Sequence, residues 1–159
     1  MKNNGFTLIE ALFAILLVGL AIASLMAANT SFTRSNGAGA ELSTAEFLLE
    51  QVKELTATLP VSDPETTTWT TFGPEEASLA AYDDLDDCDG ASFSPPISAG
   101  RASLADFATF TQQVTVQNVS ASDFGIVVPD RSTAFVRVTV RVLHNSAEIS
   151  SASWIRARY

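Results

Sequence analysis

Three sets of residues in this chain have types and spacings that could do chemistry. The first is Glu10, a carboxylate at the head of a run from Ala11 to Thr33 that carries no charge. A carboxylate there is costly in lipid unless it reaches the interface or meets a cation, so it is a functional candidate in need of a partner. The chain offers one: a cut after Gly5 would give Phe6 a new α-amino cation close to the level of Glu10. The second set is Asp83, Asp84, Asp86, Asp87 and Asp89, five carboxylates within seven residues. Hard oxygen ligands gathered on a turn are what Ca²⁺ needs, and calcium is the one cofactor the residues suggest. The spacing is not that of an EF-hand, because with Gly90 as the sixth loop position the first falls on Leu85 and the twelfth on Pro96. A solvated turn with Asx-type hydrogen bonds and a docking patch for a basic surface are the other readings, the turn leading the three. The third set is the single Cys88 and the single His144. No Ser-His-Asp set, zinc-ligand spacing or phosphate-binding glycine loop can be assembled around them, and the acidic surroundings of Cys88 disfavour a thiolate. The residues do not point to an enzyme.

The elements that position these residues follow from periodicity. Ala11 to Ala28 are apolar on every side, and at ~1.5 Å per residue they span roughly 27 Å, nearly the ~30 Å hydrocarbon core of a bilayer. Asn29 to Ala40 are polar and contain Gly37 and Gly39, which predicts the weakest part of a continuous helix. From 41 to 59, Leu42, Ala45, Leu48, Leu49, Val52, Leu55 and Leu59 recur at helical spacing, and Pro60 stops the pattern. This second half is amphipathic and should lie along a sheet. Residues 61–73 read as a connection with a short extended piece at Thr67 to Phe72. Pro74-Glu75-Glu76 predicts a short helix to Tyr82, since proline suits the first helical position and early carboxylates suit the dipole. Ser92 to Arg101 reads as a loop. Strands are expected at Phe110 to Val119, Gly125 to Val128, Ala134 to Leu143 and Glu148 to Arg158, with Val136, Val138, Val140 and Val142 facing one way and a turn at His144-Asn145-Ser146.

Charge divides the same plan. The net charge is −9, which speaks against nucleic acid as a partner. Residues 41–130 hold all but two of the acidic residues and only two basic ones, Lys53 and Arg101, whereas 131–159 hold five arginines against Glu148. Arg137 and Arg141 of the last hairpin are therefore expected to meet the acidic stretch of the same or a neighbouring subunit. One cysteine excludes an intrachain disulfide, and its simplest role is that of a small, partly buried side chain.

Gly5-Phe6-Thr7-Leu8-Ile9-Glu10, after a short polar leader with Lys2 and before the apolar run, resembles the prepilin signature of type IV pilins and type II secretion pseudopilins. The resemblance covers roughly the first thirty residues. It implies cleavage between Gly5 and Phe6 by a prepilin peptidase, N-methylation of Phe6, and pairing of Glu10 with the terminal amine of a neighbouring pilin in a filament. Many major pilins close a C-terminal loop with a disulfide, which this chain cannot, so a minor pilin or a pseudopilin is the better match. The Tyr82 to Gly90 run is similar, more weakly, to one in minor pilins like those of the mannose-sensitive haemagglutinin system. The implied fold is α+β and type IV pilin-like, a long N-terminal helix on a C-terminal antiparallel sheet. The expected parts are a leader (1–5), a transmembrane or filament-core helix (6–33), an amphipathic helix (34–60) and a globular head (61–159). The expected location is the inner membrane, single-pass with the head outside the cytoplasm, and then a surface pilus or periplasmic pseudopilus. An ordinary secretory signal, removed whole, and a plain membrane anchor compete for the same N-terminal residues, though Glu10 is foreign to the apolar core of a signal peptide. The alternative role is a membrane-tethered or filament-tip binding and adhesion module dependent on calcium.

Overall fold

The structure, a computed structural model, describes residues 5–63 and 72–158. Its first element is α1 (Leu8–Thr58), a 51-residue helix. Four strands follow, β1 (Ser92–Phe93), β2 (Phe110–Asn118), β3 (Phe135–His144) and β4 (Ala147–Ala157). They form one antiparallel sheet in the order β1-β2-β3-β4. The chain divides into two compact units, 1–40 and 41–159, and α1 contributes to both.

In the first unit every described residue is exposed. Leucine, isoleucine and phenylalanine side chains from Phe6 to Phe32 stand in the open, because they cover all sides of the helix and this unit has no second element among the described residues. The helix continues through 29–40, where weakness was expected. The hydroxyls of Thr30 and Thr33 fold back onto the helix, donating to the carbonyls of Met26 and Asn29 at 2.9 and 3.0 Å.

In the second unit the expected stripe packs on the sheet. Ala45, Leu48, Leu49, Val52 and Leu59 share one core with Val114 and Val116 of β2 and Val136, Val138, Val140 and Val142 of β3. Leu42 departs from the stripe and is 43% exposed, whereas Thr56 is buried, its hydroxyl bonded to the Val52 carbonyl at 2.9 Å. Register places Val114 opposite Val140 and Val138 opposite Trp154, so the alternating valines stack across the pleat. The β3–β4 turn is centred on Asn145 and Ser146, at φ 48° and 70°, the left-handed pair that a two-residue hairpin requires.

Three expectations need correction. Residues 74–82 form bends and turns rather than a helix. The Arg101 guanidinium holds the carbonyls of Leu79, Ala80 and Tyr82 at 2.6–3.1 Å, which ties this segment to a residue far along the chain. Gly125 to Val128 is not a strand, Val127 making only an isolated bridge to Val119, and Ile126 and Val127 remain about half exposed. The region read as a loop at 92–101 supplies the edge strand β1, with Ser92 paired to Gln113. The extended piece at Thr67 to Phe72 lies, apart from Phe72, outside the described residues.

Candidate functional site

Thr7 and Glu10 build the start of α1. The Glu10 carboxylate accepts the Thr7 backbone N–H and hydroxyl through the same oxygen, both at 2.8 Å, while the Glu10 N–H donates to the Thr7 hydroxyl at 3.3 Å. This reciprocal arrangement is a capping box, which satisfies helix-end donors that have no partner inside the helix. Its signal, threonine and glutamate three apart just before an apolar run, is legible in the sequence but was not read there. Gly5 lies before this cap, and a Cβ built on it would meet nothing within 4 Å. Among the described residues, packing does not require glycine at position 5. Phe6 is 86% exposed beside it. The Gly5–Phe6 bond is thus open to a second protein, one residue ahead of the cap, with a long apolar helix behind.

Comparison with protein-family models matches the prokaryotic N-terminal methylation motif over residues 1–26. The chain carries the type IV pilin and pseudopilin prepilin motif. With the long apolar helix, the motif fits a type IV pilin-like protein, and it implies processing by a prepilin peptidase and assembly with other pilins. Membrane anchoring agrees with the same features. Neither the curated proteins nor the solved structures give a significant match.

The aspartate stretch is a second constellation, wound around a short 3-10 turn at Asp86–Cys88. Asp84 Oδ1 accepts the N–H groups of Asp86 and Asp87 at 2.9 and 3.2 Å, and Asp87 Oδ2 accepts those of Asp83 and Asp84 at 2.9 and 3.2 Å. Asp86 takes the Gly73 N–H at 3.1 Å and lies 3.6 Å from the Arg131 guanidinium, and Asp89 takes the Val116 N–H at 2.7 Å. The local bonds of Asp84 and Asp87 are of the Asx type expected of a turn, but the turn is not solvated as expected, because Asp84, Asp86 and Asp87 are buried. Burial pushes the Asp84 carboxyl up to about 8, with Asp86 beside it adding to the effect. Burial also raises Asp86, opposed by its bonds to Asp84 and Gly73 and by Arg131. Cys88 is buried rather than partly buried, and desolvation followed by the charge of Asp87 drives its thiol up to about 12.

The five aspartates do not converge on one point. Among the described residues the acidic oxygens that gather closely enough for a metal are those of Glu75, Glu76 and Asp87. Glu75 and Glu76 had been read only as the first turn of a helix. Of the arginines singled out for acidic neighbours, Arg141 pairs with Glu148 at 2.5 Å and Arg137 bonds to Gln117 and the Phe124 carbonyl at 3.0 and 3.2 Å. One contact that does join residues 131–159 to the aspartate run is that of Arg131 with Asp86. His144 stacks on Phe110 with ring centroids 4.4 Å apart and lies 3.6 Å from Glu41.

Proposed function

We propose that the protein is a structural or accessory subunit, a minor pilin or pseudopilin. In this reading it is cut between Gly5 and Phe6, methylated on Phe6, held in the inner membrane by α1 with residues 41–159 outside the cytoplasm, and assembled into a type IV pilus or type II secretion pseudopilus. The observation that carries the reading is the methylation motif joined to a helix whose apolar run is wholly exposed. Such a surface must be covered by lipid or by other helices, and a filament core replaces the first with the second. Cleavage supplies the cation that Glu10 needs. In the uncut chain its carboxylate is occupied by Thr7, and after transfer of the helix out of lipid the methylated amine of a neighbouring Phe6 is the stronger partner, which sets axial register.

The test is the mass and N-terminal sequence of the mature protein from native membranes. The expected chain begins at N-methylated Phe6. A chain beginning near Ser24 or Asn29 would instead mean an ordinary signal peptide and would remove the filament reading, and an intact Met1 would leave a plain anchor.

A further inference from the structure

Glu75, Glu76 and Asp87 bring one carboxylate oxygen each to within 4.8 Å of the others. Asp87 is fully buried, and although its Oδ2 accepts two backbone N–H groups, its Oδ1 is buried with no hydrogen-bond partner. Oε2 of Glu76 is buried and without a partner as well. The two side chains are in contact, so acceptor faces acceptor at the inner end of the group. A buried acceptor left without a donor costs about 1–3 kcal/mol, and facing carboxylates repel besides. Asp63 and Asp86 deepen the negative field at Glu75. Either a proton or a metal ion must relieve this arrangement.

We propose that Glu75, Glu76 and Asp87 form a site for one hard divalent cation, Ca²⁺, on the segment between α1 and β1. All three donors are carboxylate oxygens, which excludes the nitrogen and sulfur sets that select zinc. Three protein carboxylates on one ion suit Ca²⁺, which takes about six to eight oxygen ligands, whereas Mg²⁺ keeps most of its waters and seldom takes three protein carboxylates. Asp87 supplies the buried wall of the site, Glu76 the half-buried side and Glu75 the exposed side, where water completes the coordination. Of the five clustered aspartates only Asp87 takes part. Asp84, whose carboxylate accepts the N–H groups of Asp86 and Asp87, holds the turn from which Asp87 reaches the site. Bound calcium therefore ties the irregular 72–82 segment to the aspartate turn. The proposal does not depend on the pilin reading.

The experiment uses the full chain in detergent micelles, stripped with chelator and dialysed, then titrated with CaCl₂ by calorimetry in about 150 mM salt, which screens diffuse attraction to surface carboxylates. One saturable calcium per chain is expected, weakened at least about tenfold, or about 1.4 kcal/mol, in Glu76→Gln with an unchanged far-ultraviolet circular dichroism spectrum. Glu76 is the side chain of choice because Asp87 accepts the N–H groups of Asp83 and Asp84 and so caps the aspartate turn, and the circular dichroism spectrum checks that the fold is kept. Absence of saturable binding, or binding by Glu76→Gln equal to that of the unaltered protein, would overturn the proposal.

Discussion

Gln112 stands on the core face of β2, fully buried, in line with Phe110, Val114 and Val116. Its amide donates to the Leu48 carbonyl of α1 at 2.8 Å and the Ile97 carbonyl at 3.1 Å, and its oxygen accepts the Ile97 N–H at 2.8 Å. One side chain thus joins helix, strand and the connection after β1. At the other end of β2, Asn118 does the same with the backbone of Arg131, Thr133 and Phe135. Replacement of Gln112 by leucine adds apolar surface of similar size, yet it leaves the Ile97 N–H and carbonyl buried without partners. Since such orphans cost about 1–3 kcal/mol each, Gln112→Leu should lose roughly 2–4 kcal/mol of stability, read as a lower midpoint in thermal unfolding. Equal stability would mean that the amide network is dispensable. Neither Gln112 nor Asn118 declares this role in the sequence, because their partners are backbone groups that carry no residue signature. Val136, Val138, Val140 and Val142 were legible by contrast, since period-two alternation is a property of residue types alone.

At the scale of elements, α1 ends without a basic residue in its last turn, leaving carbonyls that the helix itself cannot satisfy. Arg156 of β4 supplies the donors, at 2.6 Å to the Thr56 carbonyl and 3.0 Å to that of Leu59. The end of the helix is therefore set by a residue 100 positions away as well as by Pro60. Arg156→Met keeps the apolar stem but removes both charged donors. It should cost about 1.5–3 kcal/mol and speed amide exchange in the last turn of α1 while sparing the β2–β3 pairs. Uniform loss of protection would place the role of Arg156 in the sheet rather than in the cap. The long helix, strands β2 to β4 and the hairpin turn were legible within about two residues because periodicity and turn chemistry mark them, whereas the two-residue β1 is too short to show a period. The 74–82 segment was not. Proline and early glutamates there satisfy the rules for a helix start, but no rule in the local sequence shows that the segment is held from about twenty residues on, by Arg101 on the carbonyls of Leu79, Ala80 and Tyr82.

For the whole molecule, the distribution of burial assigns different tasks to the two units. Every buried side chain among the described residues lies at Ala45 or beyond, and the core cluster is drawn entirely from 41–159. The exposed apolar side chains of the first unit contribute nothing to that core, so they add solubility cost without adding fold stability in water. A fragment running from Ser35 to Tyr159 retains the full core, Gln112 and Arg156 with their partners, and ten residues ahead of Ala45 that can absorb the fraying of a new helix end. It should remain soluble without detergent and unfold in a single cooperative transition, with Cys88 protected from thiol reagents until that transition, as its burial requires. A fragment that binds hydrophobic dyes and exposes Cys88 without a transition would show that residues before 35 are needed to specify the fold. The prepilin motif is legible because a peptidase reads it as a linear string. The relation between the halves was legible only as a change in pattern, from apolar on all sides to apolar on one. That change has a physical meaning: the first half awaits lipid or other helices, and the second already has its sheet.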